Sequence, residues 1–214
     1  METSPRRLCE TESMVITGVY YCLGLVAGGL LVSYLGRPSF GLPFYILAAF
    51  CLYFFRDPDR VTPAGNYAIS PADGKVVTVK KESGTLTRIS IFLNVFDVHV
   101  NRTPISGRIT KVDYKTGQFL VASKEEASAD NEQNTVTVES EDGTRVVFKQ
   151  IAGLIARRIV FWKKVGDTVK MGERIGLIKF GSRMDVLLGP EWVIRVEEGQ
   201  RVVAGASILA ARKD

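Results

Sequence analysis

The sequence predicts a mainly β fold, a flattened barrel or sandwich, preceded by an N-terminal apolar helical hairpin. Three observations carry this. From Tyr67 onward, short β-patterned runs follow one another, and no long amphipathic helix is visible after residue 60. Ahead of them, Ser13 to Gly36 and Pro38 to Phe55 contain no charged residue, and Arg37 alone separates the two runs. Near the C-terminus a Gly-x-x-Val-x-x-Gly-x-x-Ile frame occurs twice: Gly166, Val169, Gly172 and Ile175 align with Gly199, Val202, Gly205 and Ile208, each 33 residues on. That frame suits tight turns alternating with buried β-branched residues.

The elements follow in chain order. As helices, the two apolar runs would be ~36 Å and ~27 Å long, against a bilayer core of ~30 Å. The first is too long for the apolar segment of a cleaved signal peptide, and Glu2, Glu10 and Glu12 dilute the charge ahead of it. Arg6 and Arg7 flank the first run and Arg56 and Arg60 the second. The excess of flanking arginines over the single Arg37 in the loop places both ends, and all that follows, on the cytoplasmic side of the cell membrane. FFRDPDRVTPAG then marks a boundary, so residues 1–55 are expected to form the membrane-associated hairpin and residues 56–214 a β-rich catalytic domain.

Within that domain, YAISPADGKVVTV carries an Asp-Gly turn signal and TLTRISIFLNV alternates. TVTVESEDGTRVVFKQI reads as a hairpin turning at Glu141-Asp142-Gly143. ARRIVFWKKV and RIGLIKF are further strands, and Lys124 to Asn134 reads as a polar, mobile loop. The Gly/Val/Ile frame resembles the half-units of biotinyl and lipoyl carrier domains, which pack as a flattened β-barrel. Those carriers present an acceptor lysine at a hairpin tip. The stretch between the two frames here, GSRMDVLLGPEW, has Met184 but no lysine, so the carrier function is not expected.

Composition removes several chemistries. Cys9, Cys22 and Cys51 all lie in or before the apolar hairpin, and His99 is the only histidine, which excludes structural zinc, iron–sulfur and histidine-rich metal sites. No basic cluster is interleaved with aromatics, so nucleic acid is not an expected partner; the net charge of +5 suits an anionic lipid surface and an ordinary solvated surface equally. Three residues remain as chemical candidates. Asp73 sits in Pro71-Ala72-Asp73-Gly74, His99 in FDVHVNR, and Ser182 follows Gly181 in the only Gly-Ser step of the chain. Such a set permits an Asp–His–Ser arrangement, in which the carboxylate orients the imidazole and the imidazole deprotonates the hydroxyl. The flanks of Ser182 are not the Gly-x-Ser-x-Gly elbow, which weighs against the alternative of a membrane-anchored serine hydrolase.

Taken together, the apolar hairpin, FFRDPDR at its exit, SPADGKV, FDVHVNR followed by Pro104, and FGSRMDV resemble, in that order, the phosphatidylserine decarboxylase proenzymes of the short bacterial and archaeal type. The resemblance implies that Ser182 attacks the Gly181 carbonyl, with His99 as base and Asp73 orienting it. The chain is then cut between 181 and 182 into a β chain, 1–181, and an α chain, 182–214, which stay associated. Ser182 becomes a pyruvoyl group that forms a Schiff base with the substrate amine and does the work of pyridoxal phosphate, without metal. The implied reaction converts phosphatidylserine, an anionic membrane phospholipid, to phosphatidylethanolamine and CO2; an archaeal ether-lipid serine phosphate is the alternative substrate. Arg56, Asn101 and Arg102 match family positions and are expected at the substrate phosphate or carboxylate. Some family members carry a second histidine three residues before His99. Phe96 stands there in this chain, which leaves His99 or a water as the proton donor to the product.

Overall fold

The computed structural model describes residues 5–82, 84–122, 127–154, 158–178 and 181–213, with side chains from Ile16 onward. The chain divides between Pro58 and Asp59 into two compact units. In the first, helix α1 (Pro5–Leu35) turns through a 3-10 segment (Pro38–Gly41) into helix α2 (Leu42–Phe54). Small residues let the helices approach: a Cβ on Gly29 would lie 2.7 Å from the Tyr45 ring, and one on Gly18 2.7 Å from Phe55 Cβ. The outward residues are apolar as well, with Tyr20, Leu23, Leu30, Tyr34 and Ile46 all more than half exposed. A helix pair that is apolar all round belongs in an apolar medium. Among the described residues, Ile16–Leu35, at mean hydropathy 1.7, is the one stretch long and apolar enough to cross a membrane; Pro38–Phe54 is shorter.

The second unit is mainly β, as the sequence predicts. Its strands are β1 (Tyr67–Ile69), β2 (Gly74–Lys81), β3 (Thr87–Leu93), β4 (Val100–Arg102), β5 (Gly107–Lys115), β6 (Gln133–Glu139) and β7 (Arg145–Ile151). After them come β8 (Ile159–Phe161), β9 (Thr168–Val169), β10 (Arg174–Ile178), β11 (Ser182–Leu188), β12 (Trp192–Ile194), β13 (Arg201–Val202) and β14 (Ile208–Arg212). One curled eight-stranded sheet runs β13-β2-β3-β11-β7-β6-β5-β9, and two three-stranded sheets run β1-β14-β12 and β4-β10-β8.

This order reads the same from both ends. The repeat legible at Gly166–Ile175 and Gly199–Ile208 extends to Ser70-Pro71-Ala72-Asp73-Gly74 and Thr103-Pro104-Ile105-Ser106-Gly107, again 33 residues apart. Gly205 N–H bonds the Ser70 carbonyl as Gly172 N–H bonds Thr103, and Gly199 N–H bonds Val76 as Gly166 N–H bonds Ile109. All four glycines of the predicted frame have positive φ, 96°, 79°, 91° and 76° for Gly166, Gly172, Gly199 and Gly205. Half of the unit is therefore β4–β10, inserted between β3 and β11 of the other half. Ser182 begins the strand on which the chain returns.

The core lies between the sheets, where Val76, Ile91, Val138, Phe148, Met184 and Val186 are fully buried. Each such side chain contributes about 1.5–3 kcal/mol. Two expectations need correction, at β3 and at 124–134. The Asp-Gly turn signal marks the bend between β1 and β2, which do not pair with each other: β1 pairs with β14 and β2 with β3. A Cβ on Gly74 would lie 2.2 Å from the Phe92 carbonyl oxygen, so close backbone approach, not a two-residue turn, calls for glycine there. β3 does not alternate, because it is central and buried on both faces. Of the stretch 124–134, residues 124–126 lie outside the described residues, and the remainder is ordered. A one-turn helix α3 (Ala127–Asp130) leads to the buried Asn131 and into β6. The Asn131 carboxamide bonds three backbone groups, Leu120 N–H and the Leu120 and Ala152 carbonyls, which replaces the strand ladder that this polar stretch lacks.

Candidate active site

β11 runs between β3 and β7, and Ser182 pairs with Leu93, the last residue of β3. Gly181, just ahead of it, has φ +65°, and among the described residues no heavy atom outside its chain neighbours lies within 4 Å of where its Cβ would stand. The glycine is there for its backbone conformation, which other residues adopt only at a cost of about 1 kcal/mol or more. Ser182 is fully buried, and its hydroxyl has no hydrogen-bond partner among the described residues. A buried hydroxyl left unpaired costs about 1–3 kcal/mol, so its position asks for an explanation in chemistry.

His99, also fully buried, reaches this junction from the segment before β4. Its Nδ1 lies 2.8 Å from the Asp97 carbonyl oxygen. A carbonyl only accepts, so Nδ1 carries the proton and Nε2 keeps a lone pair. Nε2 in turn accepts the Gly181 N–H at 3.4 Å. The structure thus brings His99 and the Gly181–Ser182 step together. The imidazole meets the Gly181 nitrogen, while Ser182 Oγ makes no hydrogen bond among the described residues.

Asp73 lies on the loop between β1 and β2. One carboxylate oxygen accepts the Ala204 N–H at 2.8 Å and the other pairs with Arg60 at 2.9 Å. The loop meets the strand that follows His99 through the Arg102 N–H to Pro71 carbonyl bond of 2.9 Å. Arg102 is buried, with Nη1 on the Gly172 carbonyl at 3.0 Å. Arg56 belongs to the first unit, where its guanidinium lies 3.7 Å from the Tyr53 ring centroid and donates to the Tyr53 carbonyl at 2.7 Å. Phe96 is 62% exposed on the turn closed by Asn94 and Asp97, and Asp97 also pairs with Arg201.

Several polar residues near the junction escape a reading of the sequence. Asn134 Nδ2 donates to Gln150 Oε1 at 3.0 Å and Gln150 Nε2 to Asn101 Oδ1 at 2.9 Å, which leaves the buried Asn101 Nδ2 without a partner among the described residues. This chain fixes the amide orientation, so Asn101 turns its N–H groups, not its oxygen, outward from the chain. On the other face of β11, Arg183 and Asp185 are fully buried and paired at 2.7 Å. Ser90 Oγ lies 2.6 Å from the Arg183 guanidinium and Ser128 Oγ 2.6 Å from the Asp185 carboxylate. Removing one partner of such a pair strands a buried charge, at a cost of about 3–5 kcal/mol. The i, i+2 spacing of Arg183 and Asp185 was the available signal, since it puts both on one face of a strand. Nothing local marks Asn134 or Gln150.

Fold and junction define a class first: a β-rich protein with a buried serine hydroxyl after a glycine of positive φ, and an imidazole on that glycine's N–H. The family model described as phosphatidylserine decarboxylase matches residues 47–210. A phosphatidylserine decarboxylase proenzyme of Solibacter usitatus (strain Ellin6076) is 69% identical over 201 residues, covering 94% of this chain and 98% of the relative. A second, from Ruegeria pomeroyi (strain ATCC 700808 / DSM 15171 / DSS-3), is 51% identical over 175 residues, covering 77% and 80%. The chain belongs to the phosphatidylserine decarboxylase family. These matches do not favour the ether-lipid or hydrolase alternatives.

Proposed function

We propose that the protein decarboxylates phosphatidylserine to phosphatidylethanolamine and CO2, using a pyruvoyl group that it makes from Ser182. The observation that carries this reading is the buried, unpartnered Ser182 hydroxyl following a glycine whose N–H sits on His99 Nε2. The maturation balances with this chain's own atoms and one water. Ser182 Oγ gives its proton to His99 Nε2 and bonds the Gly181 carbonyl carbon. The Gly181–Ser182 C–N bond breaks, the nitrogen takes the proton, and an ester remains. Loss of the Ser182 Cα proton then breaks the Cβ–Oγ bond, freeing the Gly181 carboxylate and leaving dehydroalanine. Water hydrolyses the corresponding imine, ammonia departs, and a ketone caps residues 182–214.

In this reading Asp73 favours the protonated imidazole through its negative charge, and the Asp97 carbonyl sets the tautomer. The residues at the junction fit the group. Its precursor hydroxyl is buried without a partner among the described residues, and residues 183–187 pair with both β3 and β7, so the small chain stays in the sheet after cleavage. The group would supply an electron-accepting carbonyl for loss of CO2 from a substrate amine. Asn101 Nδ2 and Arg102 would hold the phosphate or carboxylate of the lipid, with Arg56 serving at the exit of the helix pair. Ile16–Leu35 would anchor the protein in the cell membrane, with the β unit on the cytoplasmic side, where it meets the headgroup without extracting the lipid.

Intact-mass measurement of the purified protein, with and without a hydrazide, tests this reading. Two fragments, 1–181 and 182–214, are expected, the smaller lacking an N-terminal amine and gaining the hydrazide mass, together with release of CO2 from phosphatidylserine vesicles. Activity in an uncut chain of 214 residues would overturn it.

A further inference from the structure

Gly153 stands out because its severest contact is with one backbone carbonyl. Its φ lies outside the left-handed region, so its backbone accepts any L-residue. Yet a Cβ built on it would lie 2.1 Å from the Gly181 carbonyl oxygen and 3.1 Å from the Gly181 carbonyl carbon. Gly181 and Gly153 are therefore glycines for opposite reasons, one for conformation and the other for contact. The carbonyl resting on Gly153 belongs to the peptide bond ahead of Ser182.

The residue ahead of Gly153 is held through both its backbone groups. Ala152 N–H donates to the Glu132 carbonyl at 2.9 Å, and the Ala152 carbonyl accepts from the buried Asn131 Nδ2 at 2.7 Å. Asn131 also grips Leu120 through both its N–H and its carbonyl, each at 2.9 Å, and a Gly153 Cβ would lie 3.2 Å from Ala122 Cβ. Asn131 thus ties the 118–122 segment, the Ala152–Gly153 step and the start of β6 into one support. A carbonyl to be attacked by a neighbouring hydroxyl needs one fixed orientation, and a misplacement of about 1 Å at a reacting centre costs about 100-fold in rate.

We propose that Gly153 is a positioning residue for maturation: its missing side chain seats the Gly181 carbonyl in the orientation in which Ser182 Oγ adds to it, and Asn131 fixes the seat. The inference rests on the self-cleavage reading above. Oγ bonds the Gly181 carbonyl carbon, the carbonyl π pair moves to oxygen, and collapse breaks the bond to the Ser182 nitrogen.

The test follows full-length proenzyme in membranes after synthesis, by gel and intact mass, for wild type and Gly153→Ala. Hydroxylamine is added in parallel, since it cuts the ester formed by the acyl shift and leaves the amide intact. Thermal unfolding of Ser182→Ala and of Gly153→Ala/Ser182→Ala, both uncut, reads the fold. The expected result is cleavage of Gly153→Ala slowed about 100-fold, with hydroxylamine-dependent cleavage reduced in parallel and the two unfolding midpoints within a few degrees. Wild-type cleavage rate in Gly153→Ala would overturn the proposal. So would a normal hydroxylamine yield, which would place the defect after the acyl shift. A double variant that fails to fold would make the contact one of packing and would also overturn it. Wild type that never cleaves sinks the self-cleavage reading instead, so the two failures are told apart.

Discussion

Two corners of the β unit share one backbone design and differ in charge at one position, Asp73 against Ser106. At the first, Ser70 Oγ bonds the Ala72 carbonyl and Asp73 accepts the Ala204 N–H at 2.8 Å; at the second, Thr103 Oγ1 bonds the Ile105 carbonyl and Ser106 Oγ accepts the Met171 N–H at 2.8 Å. Ala204 and Met171 are themselves 33 residues apart. A hydroxyl is therefore enough to anchor the facing turn. The second carboxylate oxygen of Asp73, paired with Arg60, has no counterpart in a serine. The difference separates the structural work of position 73 from whatever work needs a charge, and it puts that charge at only one of the two corners.

The strongest way to break the comparison is Ser182→Ala. If the chemistry lives only at the return to the first half, cleavage falls to nothing and one uncut band remains on a denaturing gel. Next comes Asp73→Ser, which gives the first corner the residue of the second. Its fold should survive, because the second corner already works that way, while maturation slows by about 100-fold if the charge assists His99. Normal maturation of Asp73→Ser would reduce Asp73 to an anchor.

Smaller effects sharpen the equivalence of the halves. Gly166→Ala and Gly199→Ala place a Cβ where the nearest atoms are 3.6 Å and 4.0 Å away, so each pays only for its positive φ. Both should lose about 1–2 kcal/mol in denaturant titration, and by equal amounts. Ser106→Ala should cost about 1 kcal/mol and leave maturation untouched. The smallest effect is at Tyr114, in the second half only. Burial, helped by its hydrogen bond to Glu132, pushes its hydroxyl pKa up from 10 to about 12. A folded pKa raised above the unfolded value stabilises below pH 10 and loses that contribution as pH rises towards 12. Wild type should therefore lose stability more steeply than Tyr114→Phe across that window, as read by urea midpoints at successive pH values.

Much of this was legible because it is local. The β6–β7 hairpin was written in Glu141-Asp142-Gly143, and Gly143 has φ +81°. The four frame glycines mark turns that only they fit cheaply. The corner duplication was missed at Ser70–Gly74 and Thr103–Gly107, because only the proline and the glycine are shared between the two. The chain marked Ser182, His99 and Asp73 as candidates by residue type and scarcity. It did not mark Gly153, whose reason lies 28 residues away in sequence, at Gly181.

By itself, then, the sequence determined the apolar helices, the β character and the repeated turns, since each follows from the conformational cost or hydropathy of residues close together in the chain. Only the tertiary structure decided that the imidazole meets the Gly181 nitrogen, that Asn134, Gln150 and Asn101 form one polar chain, and that a carbonyl rests on Gly153. Those contacts join strands far apart in the chain, and their geometry is set by sheet register and packing, which no local pattern encodes.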